Sequence, residues 1–233
     1  ELGFSGYPKL QKSLQELIKN KLTTVQRLEL SSDYITEGHA LKGVLKADME
    51  NIRSTMEKID YNTFEDVVNN IFTAKRIYII GLRSSMALAE FLGFYLNIIL
   101  QNVKTVGYGI SDIFEQMINV GEGDLVIGIG FPRYASRTID ALAFAQDRGA
   151  TVVAVTDSFL SPLATRADYA LIAQSNMASF VDSLVAPLSV INALIIAVGM
   201  REKENISSTF NSLEEIWQEY NVYSYNNRNV GDD

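Results

Sequence analysis

The 233-residue chain has no cysteine and a single histidine, His39. Disulfides and thiolate-held metals are therefore excluded, and so is a histidine-rich metal site. No apolar run is long enough to span a bilayer. The longest candidate, Val181 to Met200, is broken by Asp182, Pro187 and Asn192. No secretory leader is visible, so the expected location is the cytoplasm. Two nucleotide fingerprints are missing too. Gly81-Leu82-Arg83 lacks the second glycine that a dinucleotide pyrophosphate needs for close approach, and the Walker lysine is absent. No cofactor and no metal is expected.

What remains has the make-up of a packed domain: 47% hydrophobic and 21% charged residues, enough for a sizeable core. Net charge is −8 but uneven. Residues 1–27 hold Lys9, Lys12, Lys19, Lys21 and Arg27 against Glu1 and Glu16, a net of +3, which leaves −11 for the rest. An acidic body does not attract nucleic acid. The basic start is either a nucleic-acid contact or a solvated helix face.

Leu10, Leu14, Leu17, Ile18 and Leu22 follow a helical period, which predicts a helix over 8–30 with Pro8 in its first turn. Leu41, Val44, Leu45, Met49, Ile52 and Met56 predict an amphipathic helix over about 36–58. Asn62 or Thr63 is the expected cap of a third, ending near Thr73. From Arg76 the pattern changes to short apolar runs alternating with helical segments. Strands are expected near 76–81, 103–107, 124–130, 151–156 and 168–173. Helices are expected over 84–101, 112–119, 136–148 and 178–203, with a short turn near 160–165. The strand runs lack polar alternation, as strands buried on both faces do. The fold class is therefore α/β, a doubly wound five-stranded parallel sheet with an N-terminal helical extension. A last helix, Phe210 to Tyr220, precedes a polar tail.

Ligands of open parallel sheets bind at the carboxyl ends of strands, where strand order reverses. Two loops there carry hydroxyls and arginines: Gly81-Leu-Arg83-Ser84-Ser85, and Gly130-Phe-Pro-Arg133-Tyr-Ala-Ser136-Arg-Thr138. Free backbone N–H groups, hydroxyls and guanidiniums suit a doubly charged phosphate. The candidate ligand residues are Arg83, Ser84, Ser85, Arg133, Ser136, Thr138 and, in the loop after the fourth strand, Asp157. The alternative for Ser84, Ser85, Ser136 and Asp157 is plain helix capping.

At these residues the chain resembles the SIS (sugar isomerase) domain, a flavodoxin-like fold, in the form carried by RpiR-type bacterial transcriptional regulators. That family's first loop usually reads Gly-x-Gly-x-Ser, or Gly-x-Arg-Ser-Ser in one branch, as at Gly81 to Ser85. The same branch pairs it with Ser-Phe-Pro-Arg-Tyr-Ser-x-x-Thr, against which Gly130 to Thr138 departs at Gly130 and Ala135. Thr156-Asp157-Ser158, Ser161-Pro162-Leu163-Ala164 and Ala167-Asp168 extend the match. The resemblance implies a sensor of a phosphorylated sugar or sugar acid, with Ser85 and Thr138 at family ligand positions. It implies self-association as a homodimer or tetramer and no membrane partner. It also implies DNA contact only through an N-terminal helix-turn-helix, of which Leu2 to Tyr7 resembles the end. On this reading the chain is a fragment. Residues 1–33 are the end of that domain and a linker helix, 34–75 a helical lead-in, 76–221 the SIS domain and 222–233 the tail.

The rival is a sugar-phosphate isomerase or lyase, which needs a general base. Glu115 and Asp182 are the candidates. Both sit where acidic residues also favour a helix macrodipole, and His39 lies outside the sheet pattern. A third reading is a degenerate domain that only dimerises, through the apolar faces of helices 84–101 and 178–203. Phe91, Phe94, Tyr95 and Ile98 are expected in the core, and Trp217 in core or interface.

Overall fold

The structure, a computed structural model, describes residues 22–31 and 39–224. The start of the helix expected from Pro8, the Leu2–Tyr7 segment, the remaining basic residues at the start and the end of the tail lie outside the described residues. The elements in order are α1 (Thr24–Ser31), α2 (Ala40–Lys58), α3 (Tyr61–Thr73), β1 (Ile77–Ile80), α4 (Met86–Ile99), β2 (Val103–Val106), α5 (Ile113–Gln116), β3 (Leu125–Ile129), α6 (Ser136–Gln146), β4 (Thr151–Thr156), β5 (Tyr169–Ile172), α7 (Val185–Arg201) and α8 (Lys203–Glu219).

The five strands form one sheet in the order β2-β1-β3-β4-β5, with every pair parallel. Strand residues alternate between two cores. Ile77, Ile79, Leu125, Ile127, Ile129, Val153 and Val155 pack with α3, α4 and α7. Tyr78, Ile80, Val126, Val152 and Ala154 pack on the other face with α5 and α6. Two apolar faces explain the unbroken apolar runs, and the strand order puts the reversal between β1 and β3. At the opposite end of these two strands Arg76 makes a bidentate pair with buried Asp124, at 3.1 and 2.8 Å.

Several local details differ from the sequence expectations. Asp60 caps α3: its carboxylate accepts from the N–H groups of Asn62 and Thr63, which lie inside the helix. Residues 178–184 are not helical, and α7 starts at Val185. Asp182 and Ser183 in that stretch are held by Arg27 and Asp48, at 2.9 and 2.6 Å. Pro187 then falls in the first turn of α7, where no backbone donor is required. The last helix starts at Lys203, directly after α7. Phe94 and Tyr95 are exposed on α4, where Tyr95 stacks edge to face with both Phe94 and Phe91, and the core residues of α4 include Leu88, Ala89, Leu92 and Leu96. Trp217 is half-buried, edge to face with Tyr223 at 5.1 Å.

The docking of α2 is the largest surprise. Its apolar stripe, Leu41, Leu45, Met49 and Met56, is exposed, and its buried residues are Asn51 and Thr55. Asn51 donates to the carbonyl of Asn176 at 2.9 Å and accepts from the N–H of Asn176 at 3.1 Å. Thr55 accepts from the N–H of Gln174 at 2.8 Å. Among the described residues no single helix is long and apolar enough to cross a membrane.

β1 leaves the sheet at Gly81, where a Cβ would stand 2.7 Å from the Ser85 carbonyl oxygen and 3.2 Å from that of Ile129. Backbone cannot yield as a side-chain tip does. Gly81→Ala is expected to destabilise the fold by about 1–3 kcal/mol, read as a lower urea midpoint. An unchanged midpoint contradicts the close approach.

Candidate functional site

After Gly81 and Leu82 the chain makes one tight turn, Arg83–Ser85, into α4. After β3 it runs from Gly130 through Ala135 into α6. Because Ile80 lies beside Gly128 in register, both loops emerge at one end of the sheet. Between them is a cavity of about 410 Å³, lined by both loops and by Arg27, Phe180 and Asp182.

Arg83 and Arg133 share an unusual backbone. Their φ angles are +58° and +62°, the left-handed region that side chains normally avoid. Holding a residue with a Cβ there costs on the order of 1–2 kcal/mol each. At both positions the backbone takes a turn that suits glycine and carries a guanidinium instead. Three guanidiniums, Arg27, Arg83 and Arg133, face one carboxylate, Asp182, around the cavity, a formal balance of +2. Arg133 donates to the Thr24 hydroxyl at 2.7 Å.

The helices that open on the cavity make no side-chain cap, so the capping alternative fails for Ser85 and Ser136. Ser85 makes no capping hydrogen bond to α4. Ser136 is the first residue of α6, and Ala135 at the cap position has no polar side-chain atom to offer, so that helix opens uncapped on the cavity. Three buried side-chain polar atoms among the described residues have no partner: Thr138 Oγ1, Arg27 Nε and Ser175 Oγ. The first two belong to residues that line this cavity. Thr138 is 1% exposed, and an unmet buried hydroxyl costs about 1–3 kcal/mol.

The structure thus brings Arg83, Ser84, Ser85, Arg133, Ser136 and Thr138 to one cavity. Asp157 is placed differently. It is not on the wall; it accepts from the Tyr134 hydroxyl at 2.8 Å and from Thr156 Oγ1 at 3.2 Å. Burial pushes its carboxyl above the ordinary range, opposed by the hydrogen bond from Tyr134. Burial, together with the Asp157 charge, pushes the Tyr134 phenol well above its usual range, so Tyr134 remains a donor. Asp157 therefore fixes the second loop through Tyr134.

Arg27 is not on the surface. Expected on a basic surface, it is 2% exposed and donates through Nη1 to Asp182 at 2.9 Å. Burial raises the Asp182 carboxyl, opposed by the charges of Arg27 and Arg133. Neither residue type nor spacing signals this pairing, because it joins positions 155 residues apart. Glu115 is off the cavity. It completes a capping box on α5, accepting from the N–H of Asp112 at 2.9 Å. His39 is exposed at the start of α2. Arg137 turns away to Asp112 and stacks on Phe114. At Gly130 a Cβ would stand 2.7 Å from Leu163 Cδ2, so buried Leu163 occupies the space a hydroxyl side chain would need. No group of three metal-ligating residues occurs among the described residues.

An all-parallel sheet of this order, with two arginine-bearing loops at its reversal point, defines a class of ligand-binding α/β domains. Residues 70–197 match the SIS domain model. The chain belongs to the SIS domain family, in the form carried by RpiR-type transcriptional regulators. It is 28% identical over 216 residues to an uncharacterised HTH-type transcriptional regulator from Haemophilus influenzae, covering 89% of this chain and 73% of that one. It is similar to the crystal structure of the sugar isomerase domain of an RpiR transcription factor from Sphaerobacter thermophilus, at 30% identity and TM-score 0.72, covering 76% of this chain and 99% of that one. The Vibrio vulnificus NanR protein complexed with ManNAc-6P shares the fold at 17% identity and TM-score 0.64, covering 96% of this chain and 78% of that one.

The Asp157 environment yields a pH test. A carboxyl raised on folding adds stability below its unfolded pKa, and that contribution is lost as pH rises through the folded value. Asp157→Asn keeps an oxygen acceptor for Tyr134 and removes the titrating charge. Its stability relative to wild type should therefore rise between about pH 3 and neutrality, followed by urea unfolding at each pH. A gap that does not change with pH counts against the buried, raised carboxyl.

Proposed function

We propose that the cavity between the two arginine loops binds a phosphorylated sugar or sugar acid, and that the protein senses this metabolite for a transcriptional regulator rather than transforming it. The observation that carries the reading is the unmet polar wall. Thr138 Oγ1 is buried without a partner, the hydroxyls of Ser85 and Ser136 are not spent on caps, and the lining balance of +2 matches a phosphate dianion. Ser84, Ser85, Ser136 and Thr138 are assigned to the phosphate or sugar hydroxyls, and Arg83 and Arg133 to its charge.

The isomerase reading has less support. Glu115 is engaged as a helix cap away from the cavity, and Asp182 is ion-paired to Arg27. Neither is a carboxylate free to take a proton from a sugar carbon. The family's regulators carry DNA contact in a helix-turn-helix; we assign residues 1–33 to the end of that domain and a linker helix, and 34–75 to a helical lead-in. We place the effector domain at 76–221 and the protein in the cytoplasm. A homodimer fits the exposed stripe of α2 and the Phe94–Tyr95 face of α4, apolar surface that a second copy of the chain would cover.

The test is a thermal-shift and turnover panel of N-acetylmannosamine 6-phosphate, arabinose 5-phosphate, glucose 6-phosphate, 6-phosphogluconate and inorganic phosphate. A sugar phosphate at a hundredfold excess over its Kd should add about 2.7 kcal/mol with no product formed. Thr138→Val is expected to stabilise the free protein by about 1 kcal/mol and weaken binding. Arg83→Gly relieves the left-handed strain, so stability should hold to within about 1 kcal/mol while affinity falls. Ketose formation lost in Glu115→Gln or Asp182→Asn would replace the sensor by an enzyme. For the dimer, Leu45→Glu combined with Met49→Glu should halve the mass seen in sedimentation. An unchanged mass rules out the α2 face.

A further inference from the structure

α1 lies outside the matched SIS region, yet it reaches the cavity. Thr24 and Arg27 are three residues apart and share a helix face. Thr24 accepts from Arg133 at 2.7 Å, and Arg27 donates to Asp182 at 2.9 Å. Arg27 is almost wholly buried on the cavity wall, and its Nε has no partner. A guanidinium presents five donors in a fixed fork, and its natural complement is a planar or tetrahedral oxyanion. Asp182 accepts from one of those donors, Nη1. Its carboxylate is 23% exposed, so the pair sits at the edge of the cavity, within reach of a small ligand.

We propose that α1 is a clasp on the occupied site: Arg27 donates its Nε–H to the anionic group of the bound metabolite, so that occupancy fastens α1 to the SIS domain. This rests on the phosphosugar reading above. Ligand binding and α1 docking then strengthen one another by the same factor. Asp182 is the resident competitor that the ligand's anion must share Arg27 with. The stretch before the SIS domain thereby contacts the metabolite itself, and its docking reports occupancy without a relay through the sheet.

The experiment uses the full chain, with N-acetylmannosamine 6-phosphate, arabinose 5-phosphate and inorganic phosphate as probes. Calorimetry reads affinity, and amide hydrogen exchange reads residues 24–31. A bound probe should slow exchange across α1. Arg27→Gln should weaken binding about ten- to hundredfold and abolish that protection. Asp182→Asn frees the guanidinium and removes a negative charge, so it should tighten binding about threefold or more. A merely structural ion pair predicts instead that both substitutions weaken binding alike. If Arg27→Gln does not fold, the exchange result and Asp182→Asn decide. Wild-type affinity in Arg27→Gln, unchanged exchange in α1 with a probe bound, or weaker binding in Asp182→Asn overturns the clasp and leaves the sensor standing. If no probe binds the wild-type chain, the sensor reading falls and the clasp with it.

Discussion

The missing side chain at Gly81 is the constraint on which the rest of the site depends. The Ser85 carbonyl and the end of β3 both come within contact distance of the place where a Cβ would be. Only a bare backbone lets the first loop fold back so tightly that α4 begins three residues after the turn starts. That compression brings Arg83, Ser84 and Ser85 alongside the loop leaving β3, and the parallel register of β1 and β3 delivers both loops to one end of the sheet. A looser turn would open the cavity and move the hydroxyls away from the second loop.

The two arginines show how the site differs from a dinucleotide cradle. A pyrophosphate site uses glycine so that backbone can approach the ligand directly. Here the backbone takes the glycine-like angle at both arginines and a long cation is mounted on it. On the proposed reading, recognition shifts from backbone to side chain, and the strain is held by the surrounding packing. Tyr134 and its hydrogen bond to Asp157 brace the second loop, while Leu163 closes the space beside Gly130.

The sheet was legible because strands buried on both faces write unbroken apolar runs, and each expected strand overlaps an observed one. The two loops were legible because hydroxyls and arginines cluster after glycine-ended strands. What stayed hidden depends on contacts distant in sequence. Arg27 reads as one of several basic residues until its partner at 182 is known. Asp157 has the right chemistry for a ligand, but its tie to Tyr134 turns it away. Residues 178–184 carry helical spacing, yet Asp182 and Ser183 are committed to Arg27 and Asp48. For α2 the periodicity marks an apolar face correctly but cannot say which face meets the domain.

That inverted docking sets the aim of everything attached to α2. An apolar seam tolerates sliding and rolling, since the hydrophobic effect has no direction. Hydrogen bonds that Asn51 and Thr55 exchange with fixed backbone groups at 174 and 176 admit one register and one rotation. Two modest side chains therefore act as an indexing pin. They fix the angle at which the helical lead-in leaves the domain, and they leave its greasy side outward.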